Sequence, residues 1–456
     1  EQQEMAYYFL GLLAARTKDW DLALEFVDKS LIKNAHNIKA RGLKAAILRH
    51  MGQIDQAQSW IKENLEIDPF DFVSLFEQMF LTGNEAQSAY IERLSRGFHE
   101  TYIQTARDYG EAGFYMEAVE VLRSCPKQKP MVAYYEGYYL YKQGKLLDAK
   151  ASFIEAETCC PDYCFPNKLE DIKVLSHAIH CYPQGAKAYY YLGCLYYDKL
   201  QFESAIELWE MSEKLDHEFP TVLRNLAIGY YNKLNDPAKA VEKLERAFAL
   251  NRKDARVFLE LDQLYKKTGM APEKRLSNFE QSIDLIQERD DLYIEYVTLL
   301  NLCGKHCQAY EAIMAHTFRA WEGGEGKISA QYKTALLEIA RTNIQENHIG
   351  EAEKNLRKAL EYPENLGEGR LEGTKDNHIY YTLGCVLEML NRTGQAQECY
   401  RKACEGKGQV AGMLYYNDQP ADMILYQGLA AARLGRNREA AACFHRLIDY
   451  GERHIR

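Results

Sequence analysis

Small and apolar residues recur at intervals of three and four residues from Ala186 to His217. Such intervals place side chains on one face of a helix. Gly193 and Tyr196 belong to a first predicted helix, and Ala205 and Trp209 belong to a second. Because Gly193 and Ala205 have little or no side chain, the two helices can approach each other closely there. This stretch therefore predicts a helix, a tight turn and a second helix.

The same pattern returns along most of the chain, with small residues at matching positions such as Gly11, Gly137, Gly384 and Gly428. Prolines such as Pro161 follow second helices, where they end one helix before the next unit begins. The period-two alternation that indicates strands is absent. Two-helix units of about 34 residues resemble the tetratricopeptide repeat. The resemblance implies an all-α, right-handed superhelical α-solenoid of about eleven tetratricopeptide-like helix pairs.

We expect one continuous tetratricopeptide-repeat array over the whole chain, with two interruptions. Two shorter helices, separated at Gly83, replace the repeat pattern in the first interruption. A single apolar stripe after Pro166 forms the second and predicts one extra helix without a partner. The predicted segments are 1–69 (first two repeats), 70–98 (irregular helices), 99–161 (repeats), 162–185 (an extra half-unit) and 186–456 (repeats with long loops).

Charge and composition narrow the classes of function. The net charge is -10, and no run of Lys and Arg supplies the basic face that nucleic acid requires. No apolar run approaches about 18 residues, so the sequence predicts no membrane-spanning helix. The 12 cysteines are scattered, which favours reduced thiols in a cytoplasmic protein over disulfides. The chain starts without Met inside a predicted helix, so we expect a fragment of a longer protein.

Three long loops in the last third of the chain depart from the repeat, at residues 316–332, 362–378 and 413–426. Ordinary repeat connections have only a few residues, whereas long ordered loops are often functional. The first two loops contain Gly-Glu-Gly followed by a cation, at Gly324–Lys327 and Gly367–Arg370. Because equivalent loops of stacked repeats share one edge, we expect these loops to lie side by side.

Aromatic rings beside carboxylates and amides in these loops suit two kinds of ligand. Rings can cover the apolar face of a sugar while carboxylates and amides bind its hydroxyl groups. Trp, Tyr and Arg also dominate the binding energy of protein interfaces. A third interpretation is that the glycines only turn the chain and the charges are solvated. The candidate ligand-binding residues are Trp321, Glu322, Glu325, Lys327, Glu364, Asn365, Glu368, Arg370, Tyr415, Tyr416, Asn417, Asp418 and Asp422.

Motifs for catalysis or metal binding are weaker. Cys303, His306 and Cys307 offer three ligands, whereas a structural zinc site needs four. The three thiols between residues 159 and 164 also lack a fourth ligand. The sequence has neither a GxSxG elbow nor a GxxxxGK[ST] loop. We therefore predict no metal, no cofactor and no catalytic residue, and we expect no enzyme activity from this chain alone, although that question stays open.

The loop sequences resemble a bacterial family in which a β-sandwich domain of unknown function precedes a tetratricopeptide array. The motifs that carry the resemblance are RAWEGGEGK, YPENLGEGRL and LYYNDQPADMILYQGLA. The resemblance implies that the array contacts a protein or peptide partner, or its own β-sandwich domain. The sandwich of this family resembles those of sugar mutarotases, which implies carbohydrate as a further ligand class.

The leading hypothesis is a non-enzymatic scaffold for protein–protein or domain–domain interaction, through a superhelical groove and the loop-rich C-terminal edge. The alternative is an accessory part of a carbohydrate-binding or carbohydrate-processing protein, its site completed by the missing β-sandwich. The repeat also predicts stabilities. We expect Gly193→Leu to destabilise the chain by about 1–3 kcal/mol. We expect Glu325→Ala and Glu368→Ala to change stability by less than about 0.5 kcal/mol.

Overall fold

The chain folds into helices joined by short connections. The computed structural model describes residues 2–83, 85–127, 129–319, 323–406 and 419–455. This described part contains no β-strand, so the predicted all-α fold of helix pairs is confirmed. The chain divides into two compact units, Glu1–Leu250 and Asn251–Arg456. One continuous array over the whole chain stays a prediction.

The first unit consists of helix pairs, with one helix that has no pair partner. The two shorter helices predicted between residues 70 and 98 are present as α5 and α6, and α11 is the single extra helix. The helices are α1 Gln2–Arg16, α2 Trp20–Lys33, α3 Ile38–His50, α4 Ile54–Ile67, α5 Phe72–Thr82, α6 Glu85–Ser95, α7 His99–Glu111, α8 Tyr115–Arg123, α9 Pro130–Lys142, α10 Leu146–Thr158, α11 Leu169–Cys181, α12 Ala186–Asp198, α13 Phe202–Leu215, α14 Pro220–Asn232 and α15 Pro237–Leu250.

The second unit follows the same plan with longer connections. A short 3-10 turn, Glu364–Leu366, interrupts the connection between α22 and α23. The helices are α16 Ala255–Lys267, α17 Pro272–Glu280, α18 Ile283–Ile286, α19 Asp290–Leu302, α20 His306–Ala315, α21 Lys327–Gln345, α22 Ile349–Lys358, α23 Asn377–Met389, α24 Thr393–Ala403, α25 Ala421–Arg433 and α26 Asn437–Ile455.

One contact defines the repeat in three dimensions: a glycine of the first helix faces the residue sixteen positions later in the second. An ideal Cβ on Gly193 would lie 2.6 Å from Cδ1 of Trp209 and 3.0 Å from the carbonyl oxygen of Ala205. Glycine is therefore required at the closest approach of the helices. The same contact joins Gly11 to Val27, Gly137 to Phe153, Gly384 to Tyr400 and Gly428 to Phe444.

A buried ionic cluster adds to the apolar core of the first unit. The guanidinium of Arg49 donates to Glu77 at 2.6 Å and to Glu117 at 2.9 Å. The phenol of Tyr109 also donates to Glu77, at 2.9 Å, and the Glu77 side chain has no solvent exposure. Burial raises the pKa of Glu117, but hydrogen bonds from His50 and Arg49 outweigh this effect and lower it to about 2. The cluster therefore connects α3, α5, α7 and α8.

A bilayer-spanning helix must be both long and apolar. Among the described helices, none meets both requirements for crossing a membrane.

Candidate functional site

The predicted ligand-binding residues divide into two groups. Six of them lie outside the described residues: Trp321, Glu322, Tyr415, Tyr416, Asn417 and Asp418. Their role stays a prediction. The remaining seven belong to the second unit, on the first two long loops and at the start of α25.

The second long loop packs against the first through Asn365. Its side-chain amide donates to the carbonyl oxygens of Ile313 and His316, at 2.8 and 2.9 Å. Its backbone carbonyl oxygen accepts a hydrogen bond from the backbone N–H of Phe318 at 2.8 Å. Phe318 and Leu366 are buried beside these bonds. The two loops therefore lie side by side, as the sequence predicts, and the hydrogen bonds of Asn365 hold them together.

Glu368 caps a helix that lies far from it in sequence. Its carboxylate accepts hydrogen bonds from the backbone N–H groups of Gly326, at 2.8 Å, and Ser329, at 3.1 Å. Gly326 is the N-cap residue of α21 and has no side chain to bind these groups. The first N–H groups of a helix have no partner within the helix, and an anion there also interacts favourably with the helix dipole. Glu368 therefore supplies the missing cap.

Arg370, from the second Gly-Glu-Gly motif, is part of an ionic cluster. Its guanidinium donates to Oδ2 of Asp376 at 2.9 Å, and the ammonium of Lys333 donates to Oδ1 at 3.0 Å. The Asp376 side chain is fully buried, so both of its oxygens need partners. Burial lowers the pKa of Lys333, but the attraction of Asp376 outweighs this effect and the pKa is raised.

The other described candidates make fewer contacts. The carboxylate of Glu325 accepts a hydrogen bond from the backbone N–H of Gly323 at 2.7 Å, within its own loop. Lys327, Glu364 and Asp422 are exposed. The loops therefore hold one another and α21 in place, and their described polar groups are largely engaged inside the protein.

A row of partly exposed polar and aromatic side chains lies where three first helices, α21, α23 and α25, come together. Arg341 of α21 donates to the phenol oxygen of Tyr426 on α25 at 3.0 Å. The ring centroids of His378 and Tyr381, both on α23, lie 5.9 and 6.0 Å from that of Tyr426. We call Lys333, Arg341, His378, Tyr381 and Tyr426 the polar row.

His378 lies in the middle of the polar row and has an unsatisfied ring nitrogen. Its Nδ1 is buried and has no hydrogen-bond partner among the residues that the structure describes. Burial, together with the positive charges of Lys333 and Arg341, lowers the pKa of His378 to about 4, against the opposing effect of Asp376 and Asp422. The imidazole is therefore neutral at pH 7.

Sequence patterns missed the polar row because its residues occupy ordinary positions of first helices. The one available signal is register. When the repeats are aligned on their glycines, Tyr381 lies three residues before Gly384, and Tyr426 lies two residues before Gly428. Such positions on successive helices would have placed these aromatic residues near one another.

The cysteines and histidines do not assemble into a metal site in the part of the chain that the structure describes. Within those ranges, no group of three or more Cys, His, Asp or Glu side chains could hold a metal ion. Both thiols are free: Cys303 is the C-cap residue of α19, and Cys307 lies in the first turn of α20.

Comparison with known proteins identifies one repeat by sequence. Residues 378–405 match the family model for the tetratricopeptide repeat. This segment covers α23 and α24, the pair in which Gly384 faces Tyr400.

Similar solved structures include three tetratricopeptide proteins. The tetratricopeptide domain of P58(IPK) is 14% identical, with coverage of 95% of this chain and 98% of that chain and a TM-score of 0.24. YrrB, described as having an unusual peptide-binding site, is 14% identical, with coverage of 52% and 97% and a TM-score of 0.21. TTC0263, a thermophilic protein of Thermus thermophilus, is 16% identical, with coverage of 44% and 98% and a TM-score of 0.26.

The sequence match at residues 378–405 identifies one tetratricopeptide repeat, and the helix pair that it covers shares its glycine contact with four other pairs. These helix pairs resemble the tetratricopeptide repeat.

Proposed function

We propose that the chain is a non-enzymatic scaffold that binds a protein or peptide segment, and that the polar row of the second unit forms the binding surface. The observation that carries the proposal is the meeting of partly exposed Arg, His, Lys and Tyr side chains from three successive first helices. Arg and Tyr are the residue types enriched at the centres of protein interfaces. Tetratricopeptide scaffolds typically mediate protein–protein interaction, which agrees with this assignment.

The chemistry of the polar row favours an extended polypeptide. Arg341 and Lys333 keep part of their hydrogen-bonding capacity beyond the bonds they make inside the protein. A peptide backbone offers alternating donors and acceptors at a spacing that such side chains can reach.

The carbohydrate alternative stays a prediction. Its three aromatic candidates, Trp321, Tyr415 and Tyr416, lie outside the described residues. The second-loop groups Asn365 and Glu368 are bound to backbone groups of the first loop and α21. Binding of a sugar by these two side chains would require those bonds to break.

The test is selection of binding peptides from a random library displayed on phage, with the purified chain as bait. We expect selected peptides to bind with micromolar affinity. Arg341→Ala combined with Tyr426→Ala should weaken binding at least about tenfold, which is about 1.4 kcal/mol. Arg357→Ala is the matched control, because Arg357 is an exposed arginine of α22 paired with Glu353. Equal loss in both variants, or no selected peptide, would overturn the proposal.

A further inference from the structure

The irregular pair of helices, α5 and α6, leaves a cavity beside it. Both helices have 11 residues, whereas α3 and α4 before them have 13 and 14, so they are roughly 3–5 Å shorter. Among residues 86–95 of α6, only Ile91 and Ser95 are buried. The pair therefore covers its neighbours incompletely, and an open cavity of about 550 Å³ remains between α5, α6, α8 and the last turn of α3.

One wall of this cavity is apolar. Met79 and Phe80 of α5 and Met116 of α8 line it. The first two side chains are partly exposed, and Met116 is 64% exposed. Methionine side chains are flexible, and methionine is common at surfaces that bind varied partners. Because the volume also lies within the range of about 300–1,000 Å³ that is typical of ligand sites, this wall can receive one long apolar group.

The charged residues that line the cavity carry an excess of negative charge. They are Arg49, Glu117 and Glu120, so two carboxylates accompany one guanidinium. The guanidinium of Arg49 already donates to Glu117 at 2.9 Å and to the buried Glu77 at 2.6 Å, and it lies 5.4 Å from the ring centroid of Phe80. The charge of Arg49 is therefore neutralised inside the protein. Glu120 adds an exposed carboxylate, so the cavity favours a cation.

We propose that this cavity binds a Lys or Arg side chain of a partner protein. Such a side chain buries its methylene stem along apolar surface and keeps its charged end with polar groups. The stem would lie along Met79, Phe80 and Met116, and the charged end would donate to the carboxylate of Glu120. An acidic side chain would be repelled there. The site adds a second binding surface to the proposed scaffold and does not depend on the polar row.

The experiment selects, from a random library displayed on phage, peptides that bind the purified chain but do not bind its Glu120→Lys variant. We expect the selected peptides to share a Lys or Arg beside apolar residues. A fluorescein-labelled synthetic copy of one selected peptide then gives the Kd by fluorescence anisotropy. Norleucine in place of its Lys or Arg keeps an apolar stem but removes the charge. This replacement should weaken binding at least about tenfold, because hydrogen bonds between charged groups are the stronger ones.

Variants of the chain test the two walls separately. Glu120→Gln should weaken binding of the selected peptide at least about tenfold. With the norleucine peptide it should cost little more than either change alone, because both changes remove the same interaction. Met116→Gln should also weaken binding. The matched controls are Glu207→Gln, at an exposed glutamate of α13, and Leu147→Gln, at an 86% exposed leucine of α10, and both should leave the Kd unchanged.

The outcomes that would overturn the proposal are distinct from a folding defect. Glu120 and Met116 are exposed, so their variants should unfold in urea like the unsubstituted chain, and the norleucine peptide leaves the chain unchanged. The proposal fails if no peptide passes the selection, if the norleucine peptide binds equally well, or if Glu207→Gln weakens binding as much as Glu120→Gln. Arg341→Ala combined with Tyr426→Ala should not affect this peptide, so failure here is distinct from failure of the polar row.

Discussion

Removal of the Glu368 carboxylate tests whether the long loops are structural. In Glu368→Ala, the N–H groups of Gly326 and Ser329 lose their hydrogen-bond partner. Gly326 cannot replace it, because the N-cap residue of α21 has no side chain. The variant therefore removes the only side-chain cap that the described structure provides for the N-terminus of α21.

The expected cost follows from the two bonds. Loss of an N-cap side chain costs about 0.5–2 kcal/mol, and a charge near a helix N-terminus contributes about 0.3–1 kcal/mol. Glu368 is partly exposed, so water can replace part of what is lost. We expect Glu368→Ala to destabilise the start of α21 by about 1–2 kcal/mol. The sequence alone predicted less than about 0.5 kcal/mol, because the bonds to α21 are not visible in it.

The assay is hydrogen–deuterium exchange of peptides that cover residues 323–336, read by mass spectrometry. A local cost of about 1–2 kcal/mol raises the exchange rate about 5- to 30-fold. Glu368→Gln keeps an acceptor but loses the charge, so its exchange rate should lie between those of the unsubstituted chain and Glu368→Ala. Glu364→Ala removes an exposed carboxylate from the same loop and should have no effect. If Glu368→Ala exchanges no faster than Glu364→Ala, the capping argument is refuted.

Two further predictions concern packing and pH. Gly193→Ala places a Cβ 2.6 Å from Trp209, so it should destabilise the first unit by about 1–3 kcal/mol in urea unfolding. Gly350→Ala, whose Cβ meets nothing within 4 Å, should be neutral or stabilising. The pKa of His378 is about 4 when folded, below the ordinary 6.5, so the unfolded chain binds the proton more readily. The contribution of neutral His378 to the free energy of unfolding should therefore be fully present above pH 6.5. This free energy should fall by roughly 3 kcal/mol as the pH drops from 6.5 to 4. His378→Gln should remove that slope, and an unchanged slope would contradict the assignment.

The repeat could be predicted because its signal is local. A glycine that faces a large residue sixteen positions later requires only two helices and a short turn, all within one unit. The contact between Gly193 and Trp209 can therefore be inferred from their spacing in the sequence. The irregular pair α5 and α6 was also visible, since Gly83 ends α5 with a φ of 59°.

The hydrogen bonds between different repeats could not be predicted in the same way. Glu368 reaches Gly326 across 42 residues, and Arg341 reaches Tyr426 across 85 residues. Neither separation in sequence follows from the helical period, because each depends on loop lengths and on how neighbouring helix pairs stack. Asp290 shows the same difficulty. Its carboxylate binds the ring of His316 and the backbone N–H of Arg319, which lie 26 and 29 residues later in the sequence.

The free-energy cost of breaking these hydrogen bonds favours the polar row over the loops as the binding surface. A ligand that engaged the carboxylate of Glu368 would remove the cap of α21, at the cost of about 1–2 kcal/mol that is expected for Glu368→Ala. A ligand of the polar row would instead contact side chains that are already partly exposed, and the cap of α21 would stay intact. The first interaction begins with a loss of stability that the second avoids. A binding defect in Glu368→Ala should therefore be traced through the position of α21 before it is assigned to a lost contact.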